Sequence, residues 1–273
     1  MKRAIKRLLG ALVPARTLSA VAHASLGALD PRARKRWLRI YNGADVRWSL
    51  ATLRELGFRP AAIVDVGACA GDFSAMARNE FPESAVLMCE AREAQRATLV
   101  GAARRLGGAV DVAIALLGPE PRASVAFHET GEGSGSSVLR ELGDVPGTTS
   151  TLPMITLDGA VAMSGVAAAV RAPVLLKLDV QGYEREVLRG GSATLAAAEV
   201  VLLELSLQRL NDGAPLASEL VAFMAERGMQ LFDIVGFWRD QPTDALLQID
   251  AVFVRQSSPL ARIVQRQPAA ARV

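Results

Sequence analysis

The chain has 273 residues, and its 51% hydrophobic content excludes a disordered protein and is enough for a large core. Two cysteines form neither a disulfide framework nor a metal-binding pattern, so we expect a reducing, cytoplasmic location. Residues 1–60 contain thirteen Lys or Arg and three acids, whereas the remainder contains eighteen and twenty-five, so a basic arm precedes an acidic body.

The basic arm, residues 1–58, is predicted to be a helical extension. In residues 1–13 the apolar side chains form one stripe of an amphipathic helix, which would rest on a membrane surface or dock on the body. Pro14 interrupts this apolar segment and disfavours a secretory signal, and no apolar run is long enough to span a membrane. Nucleic acid is not an expected partner, because aromatic residues for stacking make up only 5% of the chain.

Residues 59–256 are predicted to form an α/β domain, followed by a tail at 257–273. Apolar strands alternate with helices, which predicts a mostly parallel seven-stranded sheet covered on both faces. The last two strands have no helix between them, so we expect an antiparallel edge. The predicted strands are Ile63–Val66, Val86–Cys89, Val110–Ala115, Val174–Val180, Val200–Leu205, Gln230–Val235 and Leu247–Val254.

The segment between the third and fourth of these strands has a different composition. Ser124–His128 has the pattern of an additional strand. The following residues, Glu129–Met154, are rich in Gly, Ser, Thr and Pro. This composition favours a lid or binding loop that covers the ligand-binding side of the sheet.

The stretch IVDVGACAGDF at 63–73 has the pattern of a strand, a tight turn and a helix start. It lacks the middle glycine of a dinucleotide fingerprint and the Gly-Lys-Ser/Thr ending of a phosphate loop. Asp72 stands where a phosphate would bind at the helix N-terminus, and its carboxylate would repel pyrophosphate.

S-adenosylmethionine fits this stretch, because it carries cationic groups and ribose hydroxyls but no phosphate. Asp65 would face its ammonium group, while Gly67 and Gly71 would let the backbone approach closely. Glu90, at the end of the next strand, would accept from the ribose hydroxyls. The alternative is that the glycines serve packing only. Four further residues complete the expected cofactor contacts: Ala68, Asp72, Phe73 and Ala91.

A second polar group lies in the strand VLLKLDV, where Lys177 and Asp179 point to the same side. Glu204 lies at a comparable level in the following strand. A buried ammonium beside a buried carboxylate is costly unless the two groups pair or serve a site. The pattern therefore indicates a reaction centre or, alternatively, an internal ion-pair network.

The chain resembles the FkbM-type methyltransferases over about residues 45–255. The matching segments are VDVGACAGDFS, MCEAR, Ser136-Ser137, TLD, LLKLDVQGYEREVLRGG, VVLLELS and IDAVFVR. The resemblance implies a Rossmann-like class I fold, S-adenosylmethionine as cofactor, and O-methylation of a sugar hydroxyl in a glycan, glycolipid or natural product. It also implies that Asp65, Gly67, Gly71 and Glu90 hold the cofactor, and that Lys177, Asp179 and Glu204 line the reaction centre.

Methyl transfer to a hydroxyl needs alignment and a proton acceptor. Asp179 is the first candidate for the base, oriented by Lys177 or Glu204; a neutral Lys177 or His128 is the alternative. We expect His128, Ser136 and Ser137 to contact the acceptor, and no metal to be required, because the sequence has no paired-ligand motif. An NAD-dependent or nucleotide-sugar oxidoreductase and a non-catalytic cofactor-binding subunit are the competing functions.

Overall fold

The computed structural model describes residues 45–130, 135–143, 145–171, 173–240 and 242–266. The predicted basic helices before residue 45 and residues 267–273 of the predicted tail lie outside these residues. Among the described helices, none is long and apolar enough to cross a membrane.

Seven strands of the described chain form one sheet in the order β3-β2-β1-β7-β8-β10-β9. The first five are parallel, and β10 runs antiparallel to both β8 and β9. The predicted α/β fold with its antiparallel edge is therefore confirmed. The strands are β1 Ala62–Val66, β2 Ala85–Glu90, β3 Val110–Ile114, β7 Val174–Leu178, β8 Ala198–Ser206, β9 Met229–Arg239 and β10 Leu246–Arg255.

Helices follow the parallel strands as the apolar periodicity predicts. Residues 184–197 form two helices, which are separated by a glycine pair at 190–191. The helices are α1 Val46–Glu55, α2 Asp72–Glu80, α3 Arg96–Leu106, α4 Leu157–Met163, α5 Glu184–Arg189, α6 Ser192–Ala197 and α7 Ala217–Glu226. Short 3₁₀ segments lie at Glu93–Gln95, Ala169–Arg171 and Pro259–Arg266.

The apolar core has one layer on each face of the sheet. One layer includes Leu176, Leu203 and Phe253, and the other includes Ile63 and Leu175, all fully buried. The central strands β1, β2 and β7 are buried along their whole length, as expected for parallel strands with helices on both faces.

Helix α1 belongs to this core, because its Leu50 and Leu53 are buried in the second apolar layer. The compact unit accordingly begins at Val46, so residues 46–58, which the sequence analysis grouped with the extension, pack with the sheet.

A second, three-stranded sheet lies between β3 and α4, and its last strand falls in the region predicted to be a long loop. Its strands are β4 Leu116–Gly118, β5 Arg122–Thr130 and β6 Gly147–Thr156, in the order β4-β6-β5. The expected additional strand is thus present as β5. The lid prediction is wrong for residues 147–154, because they form hydrogen-bonded sheet with β5.

Candidate active site

The turn after β1 brings the backbone of two strands together. Gly67 has a φ of 73°, and a Cβ at this position would collide with the carbonyl oxygen of Asp179. The N–H groups of Gly67 and Ala68 both donate to the carbonyl oxygen of Cys89, at 2.9 and 3.0 Å. The turn is therefore fixed between the ends of β2 and β7, which is where ligands bind in sheets of this kind.

Asp65 lies behind this turn and has no exposed surface. Its Oδ2 accepts a hydrogen bond from the hydroxyl of Ser74 at 2.7 Å, and its Oδ1 lies 3.5 Å from Lys177 Nζ. Because the carboxylate is enclosed by protein, it does not line the cleft, and it acts on the site through Lys177.

Glu90 is 6% exposed and is surrounded by N–H donors at the end of β2. Its Oε1 accepts from the backbone N–H and the Nε of Arg92, at 3.1 and 2.9 Å. Its Oε2 accepts from the backbone N–H of Cys69 at 2.9 Å. A carboxylate has about four acceptor sites, so one remains for a ligand hydroxyl. Arg92 was not identified from the sequence, although its position two residues after the strand-end acid was the available signal.

A cleft of about 720 Å³, partly open to solvent, runs from Glu90 to Asp179. Its lining combines apolar and aromatic side chains with backbone and polar groups. Of the predicted site residues it includes Gly67, Glu90, Ala91, Ser136, Ser137 and Asp179, and it adds Cys69, Arg92, Leu116, Phe127, Gln181 and Tyr183.

Asp179 stands where β7 ends, with 40% of its side chain exposed. Its Oδ2 lies 3.3 Å from Lys177 Nζ, and its Oδ1 accepts a hydrogen bond from Gln181 Nε2 at 2.9 Å. Lys177 Nζ also donates to the carbonyl oxygen of Gly67 at 3.0 Å. One ammonium thus joins the glycine turn to the exposed carboxylate.

Burial would lower the pKa of Lys177, but the charges of Asp179 and Asp65 outweigh it, and the net shift is upward. Lys177 is therefore protonated at neutral pH. This removes the alternative in which a neutral Lys177 serves as the base.

The strand register brings more acids to the same edge of the sheet. Lys177 pairs with Leu202, so Asp179 lies level with Glu204, as expected. Glu204 in turn pairs with Asp250 on β10. We call four carboxylates the acid cluster: Asp179, Glu184, Glu204 and Asp250.

Members of the acid cluster perturb one another. Burial and the charges of Asp179, Glu184 and Asp250 raise the pKa of Glu204 to about 9, although Lys177 opposes this shift. Burial raises the pKa of Glu184 to about 7, and burial together with Asp179 raises that of Asp250. Glu204 is accordingly protonated at neutral pH, which makes it a poor base.

The three residues expected to contact the acceptor are placed differently. Ser137 is 2% exposed, and its hydroxyl lies 3.2 and 3.0 Å from the carbonyl oxygens of Val180 and Gln181. His128 lies on β5, where its Nδ1 is 3.0 Å from Thr149 Oγ1, and it is not among the cleft residues. Ser136 lines the cleft.

Several predicted cofactor residues support the turn rather than line the cleft. Gly71 has a φ of 86° and packs against Met88 and Ala102, and the Phe73 ring lies 6.0 Å from Lys177 Nζ. Asp72 is exposed at the start of α2. Ala68 is also behind the cleft, with 5% exposure.

The comparisons give one family match. The sequence profile described as "Methyltransferase FkbM domain" matches residues 65–231, which is more than half of the chain. No curated protein matches the sequence.

Among solved structures, a methyltransferase FkbM from Methylobacillus flagellatus KT shares 15% identity, with a TM-score of 0.44. The match covers 77% of this chain and 49% of that one, so the chain spans about half the length of that protein.

The magnesium protoporphyrin IX methyltransferase of Synechocystis PCC 6803, solved with SAM, shares 12% identity over 85% of this chain and 96% of its own, with a TM-score of 0.40. The 1,6-didemethyltoxoflavin-N1-methyltransferase of Burkholderia thailandensis was solved with S-adenosylhomocysteine. It shares 11% identity with this chain, and the match covers 89% of this chain and 91% of that one with a TM-score of 0.40.

Proposed function

The chain belongs to the FkbM methyltransferase domain family, and we propose that it is an O-methyltransferase that methylates a sugar hydroxyl. It is a methyltransferase by family, and S-adenosylmethionine, the cofactor predicted from the sequence, is confirmed. The observation that carries the finer proposal is Asp179, a half-exposed carboxylate at the end of the cleft, held by Lys177 and Gln181.

The residues that line the cleft fit this cofactor. Glu90 keeps one acceptor site for a ribose hydroxyl, while Arg92 and the N–H of Cys69 fix the orientation of its carboxylate. The apolar side chains of Leu116 and Phe127, which line the cleft, suit an adenine ring. When bound, S-adenosylmethionine supplies an electrophilic methyl group on a sulfonium.

Asp179 then acts as the general base. Its carboxylate would take up the hydroxyl proton of the acceptor, while the bound donor would supply the methyl group that replaces that proton. A positioned base of this kind contributes about 10²–10⁴-fold to rate. Lys177 pairs with this carboxylate and orients it at the cleft.

The charge of the site supports a neutral hydroxyl acceptor. Lys177 is already paired with Asp65 and Asp179, so its charge is not free to neutralise an anionic group such as a nucleic-acid phosphate. Sugar hydroxyls are uncharged and can donate to Asp179 and to neighbouring carboxyl oxygens.

The test is methyl transfer from radiolabelled S-adenosylmethionine to a panel of methyl glycosides, with wild type and Asp179→Asn compared. We expect product with at least one glycoside, and a 10²–10⁴-fold lower kcat for Asp179→Asn with unchanged cofactor affinity by calorimetry. Glu93→Asn, at an exposed acid beyond β2, is the matched control and should retain full activity. Full turnover by Asp179→Asn would remove this residue from the base role.

A further inference from the structure

Gln181 occupies a position between two carboxylates that the proposed mechanism leaves unexplained. Its Nε2 donates to Asp179 Oδ1 at 2.9 Å and to Glu204 Oε2 at 3.0 Å. An amide nitrogen carries two hydrogens, so each carboxylate receives one. The side chain is therefore a bridge between the exposed acid and the buried one.

The backbone is built to hold this bridge in place. Gln181 has a φ of 56°, a left-handed conformation that is uncommon for a residue other than glycine. On either side of it, the carboxylate of Glu184 accepts the N–H groups of Val180 and Gly182, at 3.0 and 3.2 Å. The hydroxyl of Ser137 lies 3.0 Å from the Gln181 carbonyl oxygen. A costly backbone conformation fixed by buried polar groups indicates a positional requirement for the side chain.

The bridge gives Asp179 a donor on both oxygens. Lys177 approaches Oδ2 and Gln181 donates to Oδ1, so the carboxylate is held in one orientation with its charge supported from two directions. Glu204 accepts a hydrogen bond from the same amide, but it is buried near other carboxylates and pairs with Asp250 across to β10. The amide can support a charge on one acid while the proton stays on the other, because two neighbouring buried charges repel each other.

We propose that Gln181 is a positioning residue for methyl transfer, whose amide bridges Asp179 and Glu204 and holds the Asp179 carboxylate turned to the cleft. This inference rests on the proposed function, because it assigns Gln181 to the same base. The groups that face the pair are Lys177 on β7, Asp65 on β1, Glu184 on α5 and Asp250 on β10.

The experiment is a ¹³C NMR titration of the Glu204 carboxyl carbon in wild type, Gln181→Glu and Gln181→Met. Glu204→Gln assigns the signal. Both variants remove the N–H donor that favours the charged form, and Gln181→Glu adds a like charge, so the Glu204 midpoint should move up by about one pH unit or more. The matched control is Gln230→Met on β9, which removes an amide that faces the carbonyl oxygen of Ala261. It should leave the Glu204 midpoint unchanged.

A Glu204 midpoint that is the same in wild type and in both folded variants would overturn the inference. If the two variants do not fold, Gln181→Asn tolerates the left-handed backbone but has a shorter amide, and the same midpoint shift is expected for it. A merely structural role would change melting temperature without moving the midpoint.

With any glycoside that is methylated, Gln181→Met should lower kcat at least about tenfold, leave the cofactor Kd unchanged and shift the pH–rate profile. The titration needs no acceptor, so its outcome is separate from the glycoside assay. Failure of every glycoside would reject the sugar acceptor, whereas an unmoved midpoint would reject the role of Gln181.

Discussion

At one end of the cleft a single carboxylate, Glu90, accepts three N–H donors, whereas at the other end the four carboxylates of the acid cluster lie near one ammonium, Lys177. The first arrangement satisfies a fixed negative charge and suits binding. The second is short of positive charge, so burial and mutual repulsion leave a proton within it. A carboxylate that binds a ligand is thus surrounded by N–H donors, whereas a carboxylate that takes up a proton lies among other acids.

The strongest break in this comparison is Lys177→Met. The substitution leaves Asp65 buried without its cation and removes the partner of Asp179, so the free energy of unfolding should fall by about 3–5 kcal/mol in urea denaturation. Asp65→Asn combined with Lys177→Met should recover part of this loss, because the buried charge is then gone. A loss of unfolding free energy below about 1 kcal/mol would mean that the Lys177 ammonium does not stabilise the pairing with Asp65 and Asp179.

Glu90→Ala tests the binding end. It removes the acceptor that Arg92 and the Cys69 N–H hold in place, so the Kd for S-adenosylmethionine should rise about 10–100-fold in calorimetry. Glu93→Ala changes an exposed acid three residues away and should leave the Kd unchanged. Equal affinities for wild type and Glu90→Ala would refute the ribose contact.

Glu204→Gln tests the proton at the other end. The pKa of Glu204 is raised to about 9 in the folded protein, above its ordinary value of 4.5, so its contribution to stability is full below pH 4.5 and is lost as pH rises towards 9. Glutamine does not titrate, so the variant should gain stability relative to wild type as pH rises from 5 to 8 in urea denaturation, by at most about 1.4 kcal/mol per pH unit. Glu83→Gln, at an exposed site, should show no such gain; a parallel response of the two variants would contradict the raised pKa.

The smallest expected effect is that of Ser137→Ala. Its hydroxyl contacts the carbonyl oxygens of Val180 and Gln181 and accepts the N–H of Leu139, so its loss should cost about 1 kcal/mol of stability. Cofactor affinity should not change. A large rise in KM for a glycoside at unchanged stability would restore the predicted contact with the acceptor.

The parallel sheet was predictable because strands buried on both faces are continuous apolar runs, and β1 and β7 have that composition. The same apolar runs also predicted that Asp179 and Glu204 would lie at a comparable level of the sheet. The strand β6, GTTSTLPMIT, was missed because half of its residues are exposed and its first five are Gly, Thr and Ser, so it has no apolar alternation. Its threonines favour a strand by β-branching alone.

Side-chain partners could not be predicted in the same way. Asp65 was expected to face the cofactor, but its carboxylate is enclosed by Ser74 and Lys177, which only the packing of α2 on the sheet reveals. Arg92 and Gln181 act through orientation, and orientation depends on backbone angles such as the positive φ of Gln181. Residue type and spacing indicated where the chemistry lies, and tertiary contacts decide which atoms carry it.

The close approach of Gly67 to the Asp179 backbone couples the glycine turn to the proposed base. The N–H of Asp179 donates to the carbonyl oxygen of Val66, and the Lys177 ammonium donates to the Gly67 carbonyl oxygen. A substitution that displaces the turn would therefore also displace the Asp179 carboxylate, even though the two belong to different strands.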